Sequence, residues 1–339
     1  MNIAVPSLTV GIFTAWIMTG VLIARKALRV ASLSSVCHEL EAQGLGKPEW
    51  KPFFRFENKH AVIQGKFLIF IRALVFGPFK FGMTLTYVFI SFIATILLPP
   101  RGVAAVARWV ARSILSTLGL DMIQHGTRAK SSVAPLLVAN HISAMDILAV
   151  LSVGGCFVAN DSVCRLPCVG AVSAAIGCIF VGRDSSSSRS TAREAVAHRL
   201  KGMMNGSSKV ESQLVVFPEG TTTNGLGILE FRRGSFESAV PIQPVRIEYS
   251  NLQCSMAMVN IFELLSFLSV MPNSTISVTY LPIVTPTAGE PAEAVAARCR
   301  AVIKADNMES YGLQTHRDEI ELLAFLRSDQ FGRSHKKSN

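Results

Sequence analysis

The chain has 339 residues, of which 50% are hydrophobic and only 17% charged, and it carries a formal net charge of +10. Such a composition supports a large buried core, and a positive mean hydropathy points towards the bilayer. The positive charge would suit nucleic acid or anionic lipid. With no aromatic-basic repeat or zinc pattern beside it, nucleic acid is excluded as the expected partner, leaving lipid surfaces and phosphate-bearing ligands.

The first element is a membrane anchor. Ile3 to Ala24 is apolar and free of charge, and about twenty such residues cross the hydrocarbon core. The expectation is a retained transmembrane segment over 1–24, with Arg25, Lys26 and Arg29 holding the following chain on the cytoplasmic side. Residues 25–66 read as a basic polar linker. A second apolar region, Phe67 to Leu98, is interrupted by Arg72, Gly77-Pro78 and Lys80 and flanked beyond by Arg101, Arg108 and Arg112. Basic residues at both ends favour an interfacial or re-entrant helical hairpin turning near Gly77-Pro78, with a plain second span as the alternative. Residues 67–118 therefore form a membrane-embedded region and a lead-in helix.

From Gly119 to about residue 310, short β-rich runs alternate with helical ones, the mark of an α/β domain. Strands are expected at Ala134–Ala139, Cys156–Ala159, Cys178–Val181, Gln213–Phe217, Ile242–Tyr249 and Thr275–Leu281. Helices are expected at Ser143–Val153, Thr191–Met204, Arg232–Ala239, Ile261–Met271 and Glu290–Lys304, with a polar loop at Ser185 to Ser188. A last helix, about Asp318 to Leu326, and a basic tail make up 311–339. The seven cysteines show no disulfide-like framework and suit a reducing compartment. Cys164 and Cys168 are too widely spaced for a CxxC motif and read as core or loop thiols.

Chemistry concentrates in two strings, each following an apolar strand. In Asn140-His141-Ile142-Ser143-Ala144-Met145-Asp146 a base precedes a carboxylate by five residues. On a continuous helix those positions lie on different faces. They meet only if His141 occupies the strand-to-helix turn and Asp146 the first helical turn. Ser143 followed by Asp146 reads as a capping box, which gives that placement. Asp146 is then either a cap carboxylate alone or the group that holds one ring nitrogen of His141. In the second case the other nitrogen is free to deprotonate a substrate hydroxyl. No G-x-S-x-G elbow and no metal-ligand spacing compete with this reading.

The second string, Phe217-Pro218-Glu219-Gly220-Thr221-Thr222-Thr223-Asn224-Gly225, ends its strand in a turn rich in backbone donors and hydroxyls, suited to an oxyanion or phosphate. Glu219 would hold neighbouring backbone or a substrate hydroxyl. Arg183, after the strand ending at Val181, is the better phosphate ligand or else a surface residue at a strand end. Arg232-Arg233 face lipid headgroups or solvent. Ile261 to Met271 is either core or a bilayer contact. Pro241 and Pro244 confine Val240-Pro241-Ile242-Gln243-Pro244-Val245 to extended, edge-like backbone with apolar residues available to line an acyl channel; taken alone, the stretch reads as a core strand.

Four blocks, Asn140–Asp146, Gly177–Arg183, Phe217–Thr221 and Val240–Pro244, fall in an order that closely resembles the four motifs of the acyl-CoA:glycerolipid acyltransferase superfamily. The first is an H-x4-D string. Thr221-Thr222-Thr223-Asn224-Gly225 looks like enzymes that reacylate lysophosphatidylcholine or lysophosphatidylethanolamine; Gly182 departs from the polar or acidic residue of many relatives and weakens any substrate assignment from that block. The resemblance covers about Gly119 to Leu281. It implies a mixed β-sheet flanked by helices, with His141 as general base and Asp146 as its orienter. It also implies Phe180 and Arg183 at the acceptor phosphate, Glu219, Gly220 and Thr221 positioning the acceptor, and Pro241 bordering the acyl-donor site. No cofactor or metal is expected, acyl-CoA being a co-substrate and a lysophospholipid the acceptor. The oligomeric state is left open. A phosphatidic-acid-forming or glycerol-3-phosphate acyltransferase, a CoA-independent transacylase, and a non-catalytic membrane scaffold remain the alternatives. Lys336-Lys337 resembles a dilysine retrieval address of the endoplasmic reticulum, and the sequons at Asn205 and Asn273 are expected to be unused in a cytosolic domain.

Overall fold

Runs such as Leu136–Ala139 and Leu214–Val216 are buried at every position, as strands covered on both faces should be. They form the middle of a seven-stranded sheet in the computed structural model, which describes residues 4–55, 65–182, 186–208 and 212–328. Its strands are β1 (Leu120–His125), β2 (Leu136–Ala139), β3 (Cys156–Asn160), β4 (Ile179–Val181), β5 (Leu214–Val216), β7 (Ile242–Tyr249) and β8 (Ser274–Tyr280), in the order β1-β8-β7-β2-β5-β3-β4. Only β7 against β8 is antiparallel, so the sheet is mixed. β6 (Gly227–Ile228) pairs separately with β9 (Glu309–Ser310). The helices are α1 (Ala4–Ala42), α2 (Lys66–Val75), α3 (Gly77–Leu97), α4 (Pro100–Leu118), α5 (Ala144–Ser152), α6 (Asp161–Cys164), α7 (Val169–Ala175), α8 (Ser186–Met204), α9 (Ile261–Leu268), α10 (Ala292–Ile303) and α11 (His316–Arg327).

Strand alternation feeds two cores. Leu137, Ala139, Val215, Val245 and Ile247 share one with residues of α1, α4, α5 and α9; Leu136, Val138, Leu214, Val216 and Ile242 share the other with α8 and α10. All six expected strands are present within two residues of their expected ends. β1 was not expected: only Leu120 is buried along it, as befits an edge strand against β8. Two helical expectations change. Arg232–Ala239 is only a 3-10 turn over Arg233–Ser235. Phe231 and Phe236 are both buried there with rings 6.2 Å apart, which residues five apart on an α-helix cannot do. Of the expected loop Ser185 to Ser188, Ser186 onward opens α8, and Ser185 lies outside the described residues.

β7 is a central strand, contrary to the edge-like reading of its prolines. The Pro244 carbonyl accepts from Leu281 N on the β8 side, where the ladder is interrupted between Val245↔Tyr280 and the isolated Ile242↔Val284 bridge. The missing amide faces that gap, where the Leu281 carbonyl takes Gln243 Nε2 at 3.4 Å instead.

α1 does not stop at Arg25. Ile23, Ala27, Val30, Ser34, Cys37 and Leu40 recur at helical spacing and are all buried, so residues 25–42 form an amphipathic helix, not a linker. Its first half is exposed and apolar, including Val10, Ile12, Phe13 and Met18. Gly20 lets α1 approach α2, for a Cβ there would lie 2.9 Å from Leu74 Cα, and Trp16 Nε1 donates to Leu74 O. The Phe67 to Leu98 region breaks at Phe76 into α2 and α3, and α3 turns at Pro99 into α4. The stretches Thr9–Ala42 and Gly77–Leu97 are long and apolar enough to cross a membrane. α9 is largely core: Leu264, Phe267 and Leu268 are buried, and Glu263 pairs with Arg29 of α1, while Phe262 is exposed.

Candidate active site

The site lies where β2 and β5 end, at the carboxyl edge of the parallel strands, the usual ligand side of such sheets. Asn140 extends the β2–β7 ladder with its side chain, donating to Ile247 O (2.9 Å) and accepting from Ile247 N (2.8 Å). The chain then turns through His141 and Ile142 to Ser143, the N-cap of α5. The capping box is present, with Asp146 as its acidic partner. Asp146 is fully buried. Its Oδ2 accepts from Ile142 N (2.7 Å) and Ser143 N (2.9 Å) and lies 2.9 Å from His141 Nδ1. Tyr249, ending β7, donates to Oδ1 at 2.6 Å. The cap and the His partner are thus one carboxylate doing both jobs. With Nδ1 donating to the carboxylate, Nε2 of the neutral ring is the basic nitrogen. The His141 side chain is 16% exposed, and its ring stacks on Phe217 at 4.2 Å and 17°.

Glu219 faces inward, 1% exposed, with both oxygens on backbone amides: Oε1 takes His141 N (2.7 Å) and Oε2 takes Leu229 N (2.9 Å). Of its two expected jobs, holding backbone is the one this geometry performs. Burial pushes its carboxyl up to about 8, against the pull of those two amides. Gly220 adopts φ +74 and Thr221 is buried beside it. Thr223 N donates to His141 O, and Asn224 anchors the same loop to the 3-10 turn Pro48–Phe53 through Lys51 O and Phe54 O. His141 is therefore held through its ring and through both its amide and its carbonyl.

The other expected residues fall apart from this cluster in different ways. Phe180 pairs with Ala159 and is half-buried at the same carboxyl edge, on β4. Arg183 lies outside the described residues. Pro241 lies at the opposite end: its neighbour Ile242 pairs with Leu136, the first residue of β2, about 16 Å along the strands from the level of His141. Arg233 pairs with Glu293 of α10 at 2.9 Å, and Arg232 stays exposed beside Gly220. All seven cysteines are free thiols. A cleft of about 510 Å³ at the amino end is lined by Arg128, Lys130 and Gln213, well away from the His–Asp pair, and its Arg128 is engaged by Gln213 and the Val153 carbonyl. Sequence reasoning missed Tyr249 and the stacking role of Phe217. Phe217 was legible as the residue joining β5 to the Pro-Glu-Gly turn; Tyr249 carried no local signal.

Residues 122–248 match the family described as Acyltransferase. The chain is 32% identical over 194 residues to the lysophospholipid acyltransferase LPEAT2 of Arabidopsis thaliana, covering 56% of this chain and 35% of that protein. It is 30% identical over 175 residues to lysophosphatidylcholine acyltransferase 2B of Mus musculus, covering 48% and 33%. The chain thus spans about a third of the length of these curated relatives. The crystal structure of the 1-acyl-sn-glycerophosphate acyltransferase PlsC from Thermotoga maritima aligns at a TM-score of 0.49 and 18% identity, over 66% of this chain and 93% of that one. The matched region holds the whole H-x4-D string and the Pro-Glu-Gly turn, so the part of the chain that is similar to these acyltransferases is the part that carries the His–Asp pair.

Proposed function

We propose that this chain is a membrane-bound lysophospholipid acyltransferase that moves an acyl chain from acyl-CoA to the free hydroxyl of a lysoglycerophospholipid. The observation that carries the reading is His141 Nδ1 at 2.9 Å from the buried Asp146 carboxylate, with no described residue bonded to Nε2. Nε2 takes the acceptor hydroxyl proton as that oxygen attacks the thioester carbonyl. The tetrahedral intermediate then expels the CoA thiolate, which the imidazolium protonates to free CoA. Such proton transfer contributes about 100- to 10,000-fold. No cofactor enters the reaction.

Arg183, outside the described residues, is the proposed ligand of the acceptor phosphate, and Phe180, half-buried on β4, is a proposed contact of the acceptor. Gly220 and Thr221 lie on the loop beside the base, where they would position the acceptor. The family motif keeps Pro241 as a proposed border of the acyl-donor site, though its distance from His141 limits it to the far end of an acyl chain. The exposed apolar half of α1 and the apolar α3 support bilayer attachment. Arg25, Lys26 and Arg29 support a cytosolic domain; Lys336-Lys337 lie outside the described residues.

The test is CoA-thiol release by detergent-purified protein, wild type beside His141→Ala, with oleoyl-CoA and a panel of lysophosphatidylcholine, lysophosphatidylethanolamine, lysophosphatidic acid and glycerol 3-phosphate. Release that depends on one lysophospholipid and vanishes in the variant supports the reading and names the acceptor. Release with lysophosphatidic acid or glycerol 3-phosphate alone moves the chain to the phosphatidic-acid-forming branch. No release with any acceptor refutes acyl-CoA-dependent transfer.

A further inference from the structure

Asp146 would cap α5 with one oxygen, yet both its oxygens are engaged. Oδ2 serves Ile142 N, Ser143 N and His141 Nδ1, while Oδ1 accepts only the hydroxyl of Tyr249, at 2.6 Å. Tyr249 is buried at the last position of β7, with its ring packed in the core shared by Ile142, Met145 and Ile247. The Ser143 hydroxyl lies within hydrogen-bond reach of the same phenol oxygen. A carboxylate held by one oxygen can rotate about its last bond and swing Oδ2 off the imidazole. A second tether from a different strand removes that freedom, because α5 and β7 meet independently at the two oxygens. We infer that Tyr249 is a positioning residue for the base, locking the Asp146 carboxylate in the plane that directs His141 Nε2 at the reacting hydroxyl. This inference rests on the assignment of His141 as base made above.

The phenol has a second effect. Burial and the Asp146 charge hold Tyr249 well above the usual phenol range, so it stays a donor at every working pH. Its hydrogen bond draws on the carboxylate charge that His141 also draws on. Without it, the carboxylate holds the imidazolium proton more tightly, and the acid limb of the rate profile moves to higher pH. Among the described residues, the other titratable groups facing this pair are Glu219, through the His141 amide, and Cys254, beside Asp146. Burial pushes Cys254 up to about 11 and Glu219 up to about 8.

The test compares wild type with Tyr249→Phe, which keeps the ring and removes the hydroxyl. Losing a hydrogen bond to a charged group should lower kcat about 10- to 100-fold. KM for acyl-CoA and for the lysolipid should stay nearly constant, and the acid limb should rise in pH. A readout without turnover is carbethoxylation of His141 across pH 5 to 8, followed by mass spectrometry, whose midpoint should move the same way. Incorporating 3-fluorotyrosine at position 249 keeps the hydroxyl and strengthens its donation, so the midpoint should then fall; this variant serves if Tyr249→Phe fails to fold. A Tyr249→Phe protein with wild-type kcat and an unmoved limb overturns the proposal. So does a loss of activity with an unmoved carbethoxylation midpoint, which would mark a purely structural role. If wild type releases no CoA with any acceptor, the acyltransferase reading fails while the carbethoxylation midpoint still tests the Tyr249 contact.

Discussion

Replacing Asp146 by Asn separates the chemical role of this residue from its structural one. The carboxamide oxygen can occupy the Oδ2 position and accept from Ile142 N, Ser143 N and His141 Nδ1. Its amide group then faces Tyr249, whose hydroxyl turns to accept from it and to donate towards Ser143 instead. The Ser143 cap survives and the buried amides keep an acceptor, so stability should fall by only about 1 kcal/mol. What is lost is the charge. An imidazolium 2.9 Å from a carboxylate gains about 5 to 6 kcal/mol at an effective dielectric of about 20. The carboxamide dipole retains part of that, leaving about 4 kcal/mol, or roughly a thousandfold in kcat. Asp146→Ala is the control: it strands Ile142 N, Ser143 N and the Tyr249 hydroxyl in a buried site, which should cost about 3 to 6 kcal/mol of stability as well as activity. CoA release and a thermal melt on the same detergent-purified samples distinguish the two. If Asp146→Asn kept activity within tenfold of wild type, the carboxylate would be only a helix cap and the base assignment would lose its partner.

Two further outcomes follow from the loop that carries Glu219. Its carboxyl is raised in the folded state to about 8 from its ordinary 4.5, so the folded protein binds more protons between those values. The stability this group contributes is full at pH 4 and is lost as pH rises through 8. Glu219→Gln, a neutral stand-in for the protonated carboxyl, should remove that slope, so melting temperatures of variant and wild type should lie closest at low pH, and the wild type should lose ground to the variant as pH rises through 8. Parallel melting curves against pH would show that burial does not govern this group. Gly220→Ala should cost about 1 to 2 kcal/mol, through the left-handed φ of +74. The added Cβ would lie 2.7 Å from Arg232 Nε, but that exposed side chain can swing away, so Gly220→Ala combined with Arg232→Ala should melt no higher than Gly220→Ala alone.

The sequence was informative wherever a pattern was local. The Ser143–Asp146 capping box located the strand-to-helix turn, and from that alone the His141–Asp146 contact could be anticipated; both are present. Apolar runs located six strands, most directly β2 and β5, which are buried on both faces and need no partner to be recognised. The failures are tertiary. α1 continues beyond Arg25 because its buried stripe finds α9, and a stripe of Ala27, Val30, Ser34 and Cys37 among charges reads as polar until the partner is known. Pro244 reads as an edge residue because the ladder gap that accommodates it belongs to β8, more than thirty positions downstream. Tyr249 is separated from Asp146 by 103 positions, and only the register of β7 against β2 brings them together.

That register explains why the four acyltransferase-like blocks do not converge equally. β2 and β5 are parallel neighbours, with Leu136 level with Leu214, so the residues following each strand emerge side by side, and His141 comes to lie on Phe217 and above Glu219. β7 is parallel to β2 as well, so its beginning must lie at the far edge and only its end can reach the His141–Asp146 pair. Pro241 sits at the beginning and Tyr249 at the end. Whatever the first block does chemically, the part of β7 able to influence it directly is therefore its C-terminal residue, not the prolines that make this strand visible in the sequence.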